Sequence, residues 1–370
     1  MNGNYYLSKK LNLDLPLWTI LCPILAVISL ITVTSENILV SIGLSVALIS
    51  AVLAAVHHAE VVAHKVGEPF GTIILALAIT VIEVSLIVSL MISETGNAPS
   101  ALARDTVFAA IMIILTGIIG ICFLVGSVRY REQNYIKQGV STALITLIAI
   151  SILTLVLPNF TTSDVVGVYS ESQLIFVAII SLILYGGFIS VQTIRHRDYF
   201  LPKQCSDGIA SELHVAPPNL FTTTVSLILL LVALIAVVLL SKKLSPVIED
   251  MVFSMGAPKS LVGIIIATVI LLPEGVAAYK AAKGDRLQTS LNLALGSALA
   301  SIGLTIPAVA IVCYFTGMQV TLGIDAKSIL LLVLSLFTVF LSLQSGRTNI
   351  QQGIVLLILF ATYLFTTIVP

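Results

Sequence analysis

The sequence predicts an all-α polytopic membrane protein with eleven transmembrane helices, arranged as one N-terminal helix plus two inverted five-helix repeats. Three observations predict it. Apolar runs long enough to cross a bilayer recur along the whole chain. Hydrophobic residues make up 58% of the 370 residues and charged residues 10%, with a mean hydropathy of +1.11, a balance that no soluble core requires. Two glutamates, Glu83 and Glu274, stand deep inside such runs, about half a chain length apart.

Lys9 and Lys10 precede the first apolar segment, 17–34. No small-x-small cleavage site follows it cleanly, so it reads as a helix and not as a signal peptide. The next segments are 37–57, 69–93, 105–128, 138–158 and 171–194. Five more follow at 220–241, 259–281, 287–314, 326–344 and 350–369. Each reads as a helix, because lipid gives backbone groups no outside partner. Barrel strands would be about ten residues long and alternate in polarity, and these segments do neither. With the N-terminus cytoplasmic, thirteen of the eighteen Lys and Arg residues fall on that side, which places the C-terminus outside.

Residues 195–219 form the longest polar connection and carry three prolines. They divide the chain into an N-terminal segment with the first helix (1–34), a first repeat (35–194), a cytoplasmic linker (195–219) and a second repeat (220–370). Five helices per repeat is an odd number, so the second repeat inserts upside down relative to the first. Transporters built this way bind substrate near the midplane. Aligning Glu83 on Glu274 brings Ala76 onto Ala267 and Ala78 onto Val269. In each repeat the glutamate helix is the second of five, and a helix rich in small residues follows it. Small residues let neighbouring backbones approach closely.

A charge at the bilayer centre costs about 2.5–3.5 kcal/mol on insertion scales, so a glutamate there points to function. Thr80 shares the Glu83 face, three residues earlier. Its hydroxyl can ligate a cation or bond its own backbone four residues back. Pro273 removes a backbone donor and frees the Val269 carbonyl, as in the broken helices that offer carbonyl oxygens to coupling ions. Asn292, Ser297 and Ser301 add polar groups on the following helix; Ser301 and Thr116 fall at matching places in the two repeats. Serine and threonine in membrane helices also serve as packing glue.

Carboxylates, hydroxyls and carbonyls are hard oxygen donors suited to Ca²⁺ or an alkali cation. No thiolate or imidazole lies near either glutamate in sequence, which disfavours zinc and copper. Two buried carboxylates cannot comfortably both be ionised once the cation leaves, so they are expected to take up protons. Cation and protons then compete for Glu83 and Glu274, the metal-binding pair, with Thr80, Thr116 and Ser301 completing the shell. That competition is the chemistry of an antiporter. No cofactor is expected; Ca²⁺ or Na⁺/K⁺ and H⁺ enter as transported ions. Ca²⁺ is the leading substrate and exchange of Na⁺ or K⁺ for protons by the same fold the alternative; a cation channel ranks below both, since channels are often built from rings of one residue type. An enzyme is not expected, since no His-E-x-x-His occurs and no Ser–Lys pair lies within a span.

Zero formal net charge gives no basic patch for nucleic acid, so the lipid bilayer is the expected partner. The four cysteines are scattered singly and form no C-x-x-C pair. His57, His58, Glu60, His64, Lys65 and Glu68 cluster after the second segment, as a solvated interface group or a pH-sensing one.

ITVIEVSLIVSLM (79–91) and ILLPEGVAAYKAA (270–282), each followed by a small-residue helix, resemble the two repeats of the calcium/cation antiporter superfamily. RDTVFAAIMIILTGIIG (104–120), LALGSALASIGLTIPAV (293–309) and SGRTN (345–349) resemble the bacterial cation/proton exchangers within it. The resemblance covers about 15–369. It implies a ten-helix inverted-repeat core with an extra N-terminal helix, cation export against proton entry, one essential acid per repeat at Glu83 and Glu274, and a bacterial inner membrane location. Thr116 and Ser301 stand where the family often has asparagine. The sequence departs from the pattern at Ile82, where many members have proline, at Gly275, where eukaryotic members often have histidine, and in the linker, which lacks a long acidic run.

Overall fold

The computed structural model describes residues 15–32, 38–67, 70–93, 99–161, 165–201, 218–254, 258 and 260–369. Lys9, Lys10, Glu68, Lys259 and residues 202–217 of the linker lie outside the described residues. Among the described residues the regular elements are helices, with isolated β-bridges and no strand. In chain order they are α1 (Leu17–Thr32), α2 (Ile38–Val66), α3 (Phe70–Ser93), α4 (Leu102–Tyr130), α5 (Lys137–Phe160) and α6 (Glu171–Arg195). Then come α7 (Leu220–Ser254), α8 (Ser260–Lys283), α9 (Leu287–Thr316), α10 (Ala326–Leu343) and α11 (Ile350–Ile368). Nine of these are long and apolar enough to cross a membrane, and shorter apolar helices cover Leu17–Ile31 and Leu77–Ile92. The chain is a multi-pass membrane protein.

Two helices outrun their expected ends. The second continues past 57 to Val66, and the seventh past 241 to Ser254. Hydropathy falls where the chain leaves the apolar run, but no glycine or proline interrupts 58–66, so the helix continues. Gly67 ends α2 with φ +77° and an N–H donated to the Ala63 carbonyl at 3.0 Å, a cap that needs no Cβ.

The chain forms two compact units. The first comprises Met1–Ser93 and Ile209–Met251. Within it α1 packs on α2 and α2 on α3, and the Ser89 hydroxyl donates to the Val238 carbonyl of α7 at 3.4 Å. His58 is fully buried, and its Nε2 meets the Thr19 carbonyl at 2.9 Å, tying α2 to α1. His57 packs against Trp18, with ring centroids 5.8 Å apart. This pair is therefore a helix–helix joint, not a solvated group.

The second unit comprises Glu94–Gly208 and Val252–Pro370, and α4 is its axis. Of the most apolar stretch of α4, 83% is buried, against 39% for α8. Helix α11 runs antiparallel along α4. Phe360 lies over Gly117, Leu356 and Leu357 over Gly120, and Gly353 over Leu124. A Cβ at Gly353 would sit 2.6 Å from the Leu124 nitrogen, so the two backbones touch. Lipid tails are as apolar as leucine, so association relies on such close packing. Helix α8 also packs on α4 and runs parallel to it. Gly263 meets Asp105 and Thr106, Gly275 meets Ile118, and the Lys283 carbonyl accepts from the Tyr130 hydroxyl at 3.1 Å. Helix α9 returns after the tight turn 284–286 and packs on α8, α5 and α6.

The SGRTN segment closes one end of this unit. Asn349 caps α11: its Oδ1 accepts from the Gln352 N–H at 3.0 Å, and Gln352 accepts from the Asn349 N–H at 3.1 Å. Asn349→Ala removes that reciprocal cap, which is worth about 1 kcal/mol. The expected result is a thermal midpoint in detergent lowered by a few degrees, with unchanged function.

Candidate functional site

Glu83 and Thr80 belong to the first unit. They lie on α3, 3% and 4% exposed, beside Ile82 and Ile87 in the buried face of that helix. Thr116, Glu274 and Ser301 belong to the second unit, on α4, α8 and α9. Thr80, Glu83, Glu274 and Ser301 each take part in a further contact, so none is an isolated polar group.

The register of α8 on α4 decides which residues of the second unit meet. Position 263 lies against 105, and position 275 against 118. Stepping back one residue from the second contact puts Glu274 level with Gly117, next to Thr116. Glu274 is half-buried, and its Oε2 is closed off from solvent. The structure thus brings Glu274 and the Thr116 turn to one depth in the unit.

That turn is not ordinary α-helix. Over Ile113–Ile118 the backbone widens to a π-helical turn, and the Ile119 N–H reaches back to the Ile114 carbonyl. Such turns carry one residue more than the α-helix needs and recur at functional sites. Thr116 is fully buried, and its hydroxyl donates to the Met112 carbonyl. With its proton committed, the oxygen can only accept, which is the polarity a cation ligand requires.

Helix α8 passes through Pro273 without a break. The expected discontinuity is therefore absent, although proline still leaves the Val269 carbonyl without its helical donor. Val269 and Glu274 lie about one and a half turns apart along α8. Gly275, where a larger residue would need room, faces Ile118 of the π turn: a Cβ there would sit 3.3 Å from the Ile118 Cδ1.

The remaining polar candidates separate. Asn292 is occupied structurally. Its Nδ2 donates to the Phe200 carbonyl at 2.6 Å, and its Oδ1 accepts from Gln288 at 2.9 Å. Ser301 is 2% exposed on α9, two residues before Gly303, which packs on Tyr185 of α6. Helix α9 follows the tight turn 284–286 after α8, which runs parallel to α4, so α9 returns antiparallel to both. Sequence reasoning missed the π turn and the buried Gln133, because neither carries a local signal.

Comparison with known proteins extends these findings. Residues 24–194 and 225–369 match the family described as sodium/calcium exchanger protein. The y4hA protein of Sinorhizobium fredii, named as an ionic transporter, is 43% identical over 361 residues, covering 96% of this chain and 97% of its own. The sodium-potassium/proton antiporter ChaA of Escherichia coli is 35% identical over 334 residues, 90% of this chain and 89% of that one. Among solved structures, native YfkE superposes with a TM-score of 0.70 at 17% identity, over 96% of this chain and 99% of that one. The H⁺/Ca²⁺ exchanger CAX gives 0.70 at 14% identity, over 94% and 87%. At those identities the likeness is one of fold.

Proposed function

Because the chain belongs to the sodium/calcium exchanger protein family, matched over residues 24–194 and 225–369, we propose that it is a secondary active antiporter exchanging cytoplasmic Ca²⁺ for protons by alternating access. Glu83 and Glu274 bind cation and protons in turn, and Thr80, Thr116, Ser301 and the Val269 carbonyl contribute neutral oxygens. The observation that carries the reading is the level shared by Glu274 and the Thr116 π turn. A carboxylate and an accept-only hydroxyl are held at one depth inside an exchanger fold. The pairing of Glu83 with Glu274 on one ion rests on the sequence, where each is the lone carboxylate deep in its segment. The same evidence supports two inverted five-helix repeats after an N-terminal helix. Charge bias supports a cytoplasmic N-terminus and an external C-terminus, and the family likeness supports a bacterial inner-membrane location.

A second reading has its own support. The antiporter named for sodium and potassium is 35% identical over most of both chains, so Na⁺ or K⁺ exchange for protons by the same site is the alternative. Oxygen ligands serve all three ions. Everted vesicles with an imposed acid interior, offered Ca²⁺, Na⁺ and K⁺ separately, tell them apart. Proton release on adding Ca²⁺ is the expected result. Release with an alkali cation alone selects the second reading, and no release with any of the three sinks both.

Thr116→Val keeps shape and removes one oxygen ligand. Bonds to charged groups are worth about 1.5–3 kcal/mol, so the half-saturating cation concentration should rise about tenfold or more. The maximal rate should change little. An unchanged cation dependence would remove Thr116 from the site.

A further inference from the structure

We infer that Gln133 is the positioning residue for Glu274: it fixes the level at which the carboxylate meets the Thr116 turn. This rests on the reading of Glu274 as a cation ligand. Gln133 lies in the turn after α4, where the sequence REQN looks solvated, yet it is 2% exposed. Its Nε2 donates to the Ala282 carbonyl and to Asp285 Oδ1, both at 2.9 Å. Its N–H donates to Thr348 Oγ1 at 3.2 Å, and its carbonyl accepts from the Thr348 N–H at 3.1 Å. Its Oε1 is buried over Gly126, where any Cβ would overlap it. One residue therefore joins the C-terminal ends of α4 and α8 to the segment that starts α11.

The backbone around it is held in disfavoured geometry. Arg131 has φ +65°, and the Glu132 N–H reaches the Tyr130 carbonyl at 2.8 Å, a γ-turn of the uncommon positive-φ kind. Asp285, the acceptor opposite Gln133, has φ +57°. Non-glycine residues persist in such conformations where their surroundings fix them. Here Gln133 is the group that links the two turns.

The connection to the site runs through Pro273. Proline removes one rung of the α8 ladder, so the helix is weakest just before Glu274. The half before it is fixed on α4 by Gly263 against Asp105. The half that begins with Glu274 touches α4 at Gly275 against Ile118, and its far end is held by the Tyr130 hydroxyl on the Lys283 carbonyl and by Gln133, which bonds the Ala282 carbonyl and Asp285 in the turn just beyond. Loosening that end lets Glu274 drift along the π turn while the fold survives.

The test reads cation binding apart from transport. The thermal midpoint of purified protein in detergent is followed while Ca²⁺, Na⁺ or K⁺ is titrated, alongside everted-vesicle exchange. In Gln133→Leu the half-saturating cation concentration should rise about tenfold in both assays, with the maximal rate within about threefold of wild type. Gln133→Glu alone sets a carboxylate beside Asp285 and should weaken binding too. Adding Asp285→Asn restores the bond between residues 133 and 285 with donor and acceptor reversed, and asparagine tolerates positive φ; the Ala282 carbonyl still lacks its donor, so the pair should bind better than Gln133→Glu alone and short of wild type. A purely structural role predicts a lower midpoint without cation but the same half-saturation. That result, or failure of the reversed pair to recover affinity in a folded protein, overturns the inference. If no cation shifts the wild-type midpoint, the reading of Glu274 as a ligand falls, and this inference falls with it. Binding without exchange in wild type would sink the antiport reading alone.

Discussion

Glu274→Gln and Glu83→Gln should each reduce proton-coupled cation movement in everted vesicles by ~100-fold or more, while both variants still insert. A factor of that size corresponds to ~2.7 kcal/mol, within the worth of charge-assisted contacts. Glutamine keeps the shape and one carbonyl oxygen but neither the charge nor a titrating proton. It removes the competition between cation and protons at its position. Insertion should not suffer, because a neutral amide is less costly at bilayer depth than a carboxylate. Quantifying membrane-inserted protein beside the transport assay separates the two effects. Retained antiport in both variants refutes the assignment. Loss in Glu274→Gln with full activity in Glu83→Gln would leave a one-carboxylate site in the second unit.

Gly263→Leu should cost both stability and exchange. A Cβ at 263 would lie 2.8 Å from the Asp105 carbonyl carbon and 3.0 Å from the Thr106 nitrogen. These are backbone atoms in the first turn of α4, and they cannot rotate aside. The helices must separate at that end. Overpacking of this kind costs about 1–3 kcal/mol, or roughly 5 °C in thermal midpoint for a unit of this size. Because Gly263 and Gly275 set the register of α8 on α4, Glu274 should lose its level with Thr116, and cation affinity should fall as well. Gly186→Ala on α6 is the control, since a Cβ there meets nothing within 4 Å. A Gly263→Leu protein as stable and as active as Gly186→Ala would show that α4 and α8 are not in backbone contact.

Much of the helical layout could be read from the sequence, because lipid enforces it. Runs such as 105–128 and 287–314 have to be helices of nearly their observed extent. The ends of α2 and α7 were not readable, since hydropathy reports where lipid stops and a helix ends only where backbone chemistry ends it. Glu83 and Glu274 stood out because a carboxylate at depth has no ordinary purpose. Ile113–Ile118 did not, because IILTGI has the composition of any apolar helix. Gln133 looked like a loop residue, and only tertiary contacts with Ala282 and Asp285 bury it. His57 and His58 are alike in sequence, yet it is His58 whose ring reaches the Thr19 carbonyl. Asn292 has the chemistry of a ligand, but Phe200 and Gln288 already occupy it.

The widened turn at Ile113–Ile118 acts on α4 as a dislocation acts on a crystal row: the lattice is regular on either side but out of phase across it. A helical wheel drawn straight through from Leu102 to Tyr130 mislabels every face beyond Ile118 by one step. Cysteine labelling along α4 should therefore follow two separate rhythms, and the break between them should fall at Thr116.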